Sequence, residues 1–465
     1  MKPSQKALSV MLTLLSLAGC SETPATGSDV QIHSDTLSQS DSEEGVAETW
    51  LSPLIGESLC VAGVPRRGAL QESAPQHLSE LGVKKVRMDI LWHKVEKEKG
   101  AFDFSSQDSA LRPYLDAGFD VLGLLCYGTP WASSATDDDH HFPPDDPEDF
   151  ANFVKKTIEY FGEEIRNYEI WNEPNAGFRF WKPDLNGDAV AYGALLKAAV
   201  TRGRESCPEC LFLFGGPFFH SQIVDGHIPF LNKAQEAHPE LSDAYDVMAF
   251  HPYPLYPPQA APEAPTPENE WTFSEMVHGI KETMSAQQAD AKPLWATEFG
   301  WPIFGEVDEE KQAAFLIRGL LQLLSLGTET VCWYDLYEGE NPKAFPPEQS
   351  FGLLTYGDPE AELPPARKPA FFALSQMGNR FRDFRIAKRL EEEITLPPRT
   401  HGYVLKNAEK ERWWVLWTHA ADSEVEIQLP ALPLESRSLT GEELIWKDTT
   451  VPLSESPLFL KMPSG

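Results

Sequence analysis

From about residue 51 onward, short apolar runs that end on polar or aromatic residues alternate eight times with longer amphipathic stretches. The runs are "SLCVAGV", "VKKVRMDIL", "VLGLLCYG", "NYEIW", "LFLFGG", "YDVMAFH", "LWATEFGW" and "ETVCWYDLY". Runs of this length read as buried strands, and the intervals carry helix signals. In "DDPEDFANFVKKTIEYFG", Asp146 is placed to cap, Pro147 suits the first turn, and Phe150, Phe153, Val154, Ile158 and Phe161 share one face. Strands alternating with helices predict a parallel sheet covered by helices. Eight such units predict a (β/α)8 TIM barrel over residues 51–383. A doubly wound open sheet is the structural alternative; the lack of a glycine-rich phosphate turn after the first run argues against it. After about residue 384 the pattern changes to "GYVLKN", "RWWVLWTH" and "VEIQLP", turn-separated and without a long helix. These predict a small all-β, β-sandwich-like domain over 384–465, packed on the barrel.

At 465 residues with 42% hydrophobic composition, the chain has the means for a large core. Its 39 basic against 71 acidic residues give a net charge of −32. Such a surface excludes nucleic acid and anionic lipid as general partners, and argues more weakly against a strongly acidic polymer as substrate.

The first twenty residues place Lys2 and Lys6 before "ALSVMLTLLSLAGC", too short and wrongly flanked for a transmembrane span and suited to a signal peptide. The ending Leu17-Ala18-Gly19-Cys20 resembles the lipobox of bacterial lipoproteins. That resemblance implies a lipid on Cys20, and Ser21 beside it resembles lipoproteins sent to the outer membrane; an ordinary signal peptide with a chance cysteine is the alternative. Residues 21–50 lack aromatics over "SETPATGSDVQIHSDTLSQSDSEEGVAE" and read as a disordered tether.

Cys60, Cys126 and Cys332 fall in apolar runs and read as buried small hydrophobes. Cys207 and Cys210, in "ESCPEC", are open to a tight disulfide or to no bond. Zinc would need a second pair, which is absent, and the "DDDHH" run at 137–141 reads as a solvated loop, so no metal or cofactor is expected.

In a barrel of this kind the active site lies at the C-terminal strand ends. The second run carries Arg87 and is followed by Trp92. The third leads to Tyr127 and Trp131, the fourth to Asn172 and Glu173, the sixth to His251 and Tyr253, the seventh to Glu298 and Trp301, and the eighth to Trp333. A buried strand ending on a carboxylate needs a partner or a use for it. Two glutamates ringed by indoles, a tyrosine, a histidine and an arginine predict one cleft with both carboxylates facing it. Trp131, Trp181 and Trp301 are open to either ligand contact or core packing, and His251 to a structural role. Arg66 and Arg67, in "VPRRG" after the first run, are open to clamping a carboxylate or phosphate of the substrate or to a turn salt bridge.

"WNEPN" together with "TEFGW" resembles the clan A glycoside hydrolases. Arg87, His251 and Tyr253 in "FHPYP", and Trp333 match the supporting positions of that clan. "VRMDILWHKVEKEKGAFDF" and "FGLLTYGDPEAELPPARKPAFFAL" are similar to family 39 and its polysaccharide-hydrolysing relatives. The resemblance implies that Glu298 is a nucleophile, kept ionised by Arg87 and a hydrogen bond from Tyr253. It implies that Glu173 is the acid/base, with its pKa raised by its negative neighbour and partial burial. Asn172 would hold the 2-hydroxyl, His251 would orient the polar network, and Trp333 would floor the central subsite.

The function so implied is a retaining glycoside hydrolase cleaving β-glycosidic bonds of an oligo- or polysaccharide by double displacement. A non-catalytic glycan-binding lipoprotein and a transglycosylase using the same site are the alternatives. The expected location is the bacterial cell envelope, lipid-anchored, with membrane contact through the N-terminal lipid only.

Overall fold

The computed structural model describes residues 50–135, 139–219, 226–253, 259–263, 272–339, 345–357, 363–419 and 425–463. The expected signal peptide, Cys20 and all of the expected tether but its last residue lie outside the described residues. The described residues all belong to one compact unit.

Eight parallel strands make the principal sheet: β1 Leu59–Ala62, β2 Lys85–Leu91, β3 Asp120–Cys126, β4 Asn167–Ile170, β5 Leu211–Phe214, β6 Met248–Phe250, β7 Leu294–Phe299 and β8 Thr328–Tyr334. Their spatial order follows the chain, with β8 beside β1. The remaining seam, between β5 and β6, is joined by a parallel bridge from Leu213 to Val247 and by the Phe214 N–H to Val247 carbonyl bond, so the barrel closes. One helix follows each strand in turn: α1 Gly68–Leu81, α2 Ser105–Asp116, α3 Pro147–Phe161, α4 Ala189–Ser206, α5 His227–Ala237, α6 Phe273–Ala286, α7 Glu309–Ser325 and α8 Pro369–Ser375.

Helix α3 forms where capping and periodicity predict. The Asp146 carboxylate accepts from the Glu148 N–H at the start of α3, Pro147 takes the first position, and Phe150, Phe153, Val154, Ile158 and Phe161 are buried together. Outward-facing strand residues such as Val86, Met88 and Ile90 join this layer, while Leu122, Leu213, Val247, Ala249 and Trp295 pack inside the barrel.

Cys60 and Cys332 are not separate buried thiols as the sequence reading has them. They stand opposite each other in the β1–β8 register and are joined by a disulfide across 272 residues of chain. Inward-facing positions on neighbouring strands bring the two sulfurs together once the barrel closes. Cys207 and Cys210 are also bonded, just past the end of α4, and Cys126 is a buried free thiol.

The C-terminal region holds β9 Arg385–Arg389, β10 Thr400–Lys406, β11 Arg412–Thr418, β12 Val425–Gln428, β13 Glu435–Arg437, β14 Thr450–Leu453 and β15 Leu458–Lys461. An antiparallel sheet in the order β9-β10-β11-β15-β13 faces the β12–β14 pair. Alternation divides its residues: Val404, Trp414, Leu416 and Leu460 face Ile427 and Val451 in a second core. Tyr403, Leu405, Trp413 and Phe459 turn instead into the core that runs through the barrel's helix layer. An ion pair pins the same face: Arg318 on α7 and Glu263 from the β6 loop are buried, and the Trp417 indole N–H donates to Glu263 at 2.8 Å.

Candidate active site

The end of β4 sets the geometry. Asn167 and Glu169 point into the barrel, while Tyr168 and Ile170 point outward. Past the strand, Trp171 and Glu173 take left-handed backbone angles, with φ of 70° and 43°. Such angles cost about 1–3 kcal/mol each for residues with a side chain. Local contacts hold the turn. The Trp171 indole donates to the Phe180 carbonyl at 2.9 Å, and the Asn175 amide exchanges two hydrogen bonds with the Phe218 backbone, at 2.6 and 2.8 Å. The result turns the Asn172 and Glu173 side chains inward.

A bulge does the corresponding work on β7. Val331 pairs with Ala296, yet Trp333 pairs with Phe299, so β7 holds one residue more than β8 over this stretch. Two consecutive residues, Thr297 and Glu298, therefore both reach partners inside the barrel, and Phe299 returns to the helix side.

Glu173, Glu298 and His251 are brought together such that one ligating atom of each lies within 4.8 Å of the others. His251 is fully buried; its Nδ1 is 2.7 Å from Glu173 Oε1 and 3.3 Å from Glu298 Oε2, and its Nε2 is 3.2 Å from Thr297 Oγ1. The Thr297 hydroxyl donates to Glu169 Oε1 at 3.1 Å. Its single proton being used there, it accepts from His251, which places the imidazole proton on Nε2 and leaves Nδ1 a lone pair. Glu173 meets that lone pair as a protonated acid.

The electrostatics agree. Burial raises Glu173 to about 8 against the pull of Arg179 and Arg87, and raises Glu298 to about 7 against the pull of Arg87. Burial lowers His251 to about 4, keeping it neutral. The negative neighbours that help to raise Glu173 are Glu348 and Glu169, and burial outweighs both.

Arg87 serves a different first partner from the one expected. Its Nε and Nη2 donate to Glu169 at 2.7 and 3.1 Å, Nη2 also reaches Asn172 Oδ1 at 2.9 Å, and Nη1 lies 3.5 Å from Glu298. Glu169, fully buried, is a member of the site that the reading of strand ends passed over; a carboxylate inside an apolar run, two residues after Asn167, was its signal. Gly216 is required beside it, because a Cβ there would sit 2.4 Å from His251 Nε2 and 2.7 Å from Glu169 Oε1.

These groups open on a cavity of about 260 Å³ lined by Arg87, Tyr127, Asn172, Glu173, Tyr253 and Glu298. Tyr334, Phe351, Phe178, Arg179 and Glu348, none of them singled out in the sequence, also line it. Five expected indoles lie elsewhere. Trp333 does not floor the cavity: Cys332 and Tyr334 face inward, so Trp333 faces outward, edge-on to Phe299. Trp301 is buried against Phe273 and donates to the Ala260 carbonyl; Trp181 is buried against Trp171 and Tyr192. Trp92 donates to Glu96 and stacks on Phe153, and Trp131, partly buried beside it, donates to the Glu96 carbonyl.

Arg66 pairs with Asp89 at 3.1 Å, both about one-third exposed, which is the turn salt bridge rather than a free clamp, and Arg67 is exposed at the start of α1. Of the 137–141 run, Asp137 and Asp138 lie outside the described residues. His140 and His141 are not freely solvated: they pack on Tyr127, and His141 contacts Asp139.

No protein-family model and no curated protein matches the chain. Solved structures do. A family 39 glycoside hydrolase from the gut symbiont Bacteroides cellulosilyticus WH2 superposes with a TM-score of 0.70 at 19% identity, over 88% of this chain and 82% of that one. A family 39 β-xylosidase from Caulobacter crescentus gives 0.59 at 14% identity, over 89% and 98%. A family 30 endoxylanase from Clostridium papyrosolvens C71 gives 0.54 at 11%, again over 89% and 98%. The chain has the fold of these glycoside hydrolase structures: a (β/α)8 barrel with a C-terminal β-sandwich.

Proposed function

We propose that the protein is a retaining β-glycosidase of the family 39 type, acting on an oligo- or polysaccharide. The carrying observation is the pair of glutamates at the ends of β4 and β7, with carboxylate oxygens within 4.8 Å of each other. Retaining enzymes hold their carboxyl groups about 5–5.5 Å apart, whereas inverting ones leave about 6.5–9.5 Å for a water. Glu298 is the nucleophile: its oxygen bonds to the anomeric carbon as the glycosidic C–O bond breaks. Glu173 is the acid: its proton goes to the departing oxygen. The resulting Glu173 carboxylate then takes a proton from water, whose oxygen displaces Glu298 from the anomeric carbon. Arg87 supplies counter-charge on the Glu298 side, and Asn172, fixed by Arg87, offers its amide N–H groups to a substrate hydroxyl.

In this reading Cys20 carries lipid and holds the enzyme at the cell envelope. Cys20→Ser should move the protein from the membrane to the soluble fraction with its kinetics unchanged. The site itself is tested by incubation with 2,4-dinitrophenyl 2-deoxy-2-fluoro-β-glycosides. A glycosyl adduct on the peptide containing Glu298 supports the assignment, and an adduct on another residue refutes it.

A further inference from the structure

We propose that the ion pair between Arg179 and Glu348 is a strap across the barrel mouth that confines cutting to the terminal sugar of a glycan chain. The proposal rests on the glycosidase reading and adds the mode of attack. Arg179 Nη1 lies 2.7 Å from Glu348 Oε1. Arg179 belongs to the loop after β4, and Glu348 to the turn Pro346–Gln349 after β8. In a closed eight-stranded barrel the fourth and eighth strands are four places apart in either direction, so they face each other across a diameter. Side chains from these two loops meet only by crossing the mouth. Both also line the cavity that holds Glu173 and Glu298.

Each end of the strap is braced. The Arg179 guanidinium sits 4.6 Å over the Phe180 ring, and Phe180 stacks on Tyr127 with centroids 5.5 Å apart and planes 3° from parallel. The turn carrying Glu348 is held by the Gly339 N–H to Gln349 carbonyl bond at 3.0 Å and by the Ser350 hydroxyl on the Ile303 carbonyl at 3.1 Å. The cavity beneath, about 260 Å³, is smaller than the roughly 300–1,000 Å³ of drug-sized ligand pockets. An enzyme that cuts within a chain must let that chain leave the reacting sugar on both sides. A strap across the mouth stands in the path of a chain that would leave on both sides.

The test uses the full chain and substrates chosen in two steps. A panel of nitrophenyl β-glycosides first identifies a sugar that is turned over. The matching linear β-linked homopolymer is then digested, and early products are read by mass spectrometry. The expected wild-type product is monosaccharide from the earliest time points. The double variant Arg179→Ala/Glu348→Ala should release di- and longer saccharides, raising their ratio to monosaccharide by ~10-fold or more. Arg179 is 46% and Glu348 16% exposed, and both are removed together, so neither charge is left facing the other's empty place. Mixed-length products from the wild type, or monosaccharide alone from the double variant, would overturn the strap. Internal cuts by a wild type that is labelled at Glu298 would refute this inference alone; no turnover and no label would refute the glycosidase reading with it.

Discussion

Nδ1 of His251 lies 2.7 Å from Oε1 of Glu173, and because the other ring nitrogen gives its proton to Thr297, this contact holds a proton on the glutamate. A double displacement needs Glu298 ionised and Glu173 protonated at once. The His251 contact holds the proton on Glu173, and Arg87 lies 3.5 Å from Glu298 to favour its charge. The kcat/KM profile should therefore rise as Glu298 loses its proton and fall as Glu173 loses its own, with the optimum between. On a dinitrophenyl glycoside, whose leaving group departs without a proton, the alkaline fall in the first step should flatten.

Thr297→Val should shift that alkaline limb to lower pH. Without the hydroxyl, the imidazole is free to carry its proton on Nδ1 and donate to Glu173, which favours the carboxylate. The buried Nε2 position also loses its partner, at a cost of about 1–3 kcal/mol by chemical denaturation. A purely structural role for Thr297 would lower stability and leave the pH profile in place.

The same burial makes Glu173 a liability at high pH. Its folded value lies above the ordinary carboxyl value, so its contribution to stability is present in full below about pH 4.5 and is lost as pH rises through about 8. Glu173→Gln removes that dependence. The variant's melting temperature relative to wild type should be higher at pH 8.5 than at pH 5, and calorimetry at the two values checks this. His251, lowered to about 4, carries the opposite dependence between there and 6.5 in both proteins, so it cancels from the comparison.

Arg318 and Glu263 tie α7 to the loop after β6, and Trp417 of the β-sandwich donates to the same carboxylate. Arg318→Met leaves Glu263 as a buried charge without its guanidinium and should cost about 3–5 kcal/mol in urea unfolding. Adding Glu263→Gln should recover most of the loss. A double variant no more stable than the single one would mean that the burial of this charge is not what is costly.

The barrel was legible because alternation of apolar runs with amphipathic stretches is a local property, repeated eight times. The site was legible in part because polar residues within or ending buried strands stand out: Arg87, Asn172, Glu173, His251 and Glu298 converge. The indoles mislead for a physical reason. Both faces of a buried parallel strand are apolar, so composition cannot say which face a residue takes, and a one-residue difference separates Trp333 on the helix side from Tyr334 in the cavity. Glu298 itself escapes simple alternation through the β7 bulge. The Cys60–Cys332 bond and the Arg179–Glu348 contact depend on which strands and loops become neighbours when the barrel closes, and no local pattern records that.

The assignment of the two glutamates is tested most directly by the stereochemistry of azide rescue. In Glu298→Ala, azide should occupy the vacated space and attack the anomeric carbon of an activated β-glycoside once, giving the α-glycosyl azide. In Glu173→Ala, the first step proceeds on a dinitrophenyl glycoside, and azide then displaces Glu298 from the covalent intermediate, giving the β-glycosyl azide. Proton NMR distinguishes the anomers. Opposite anomers from the two variants are the expected result; the same anomer from both would contradict the assigned roles.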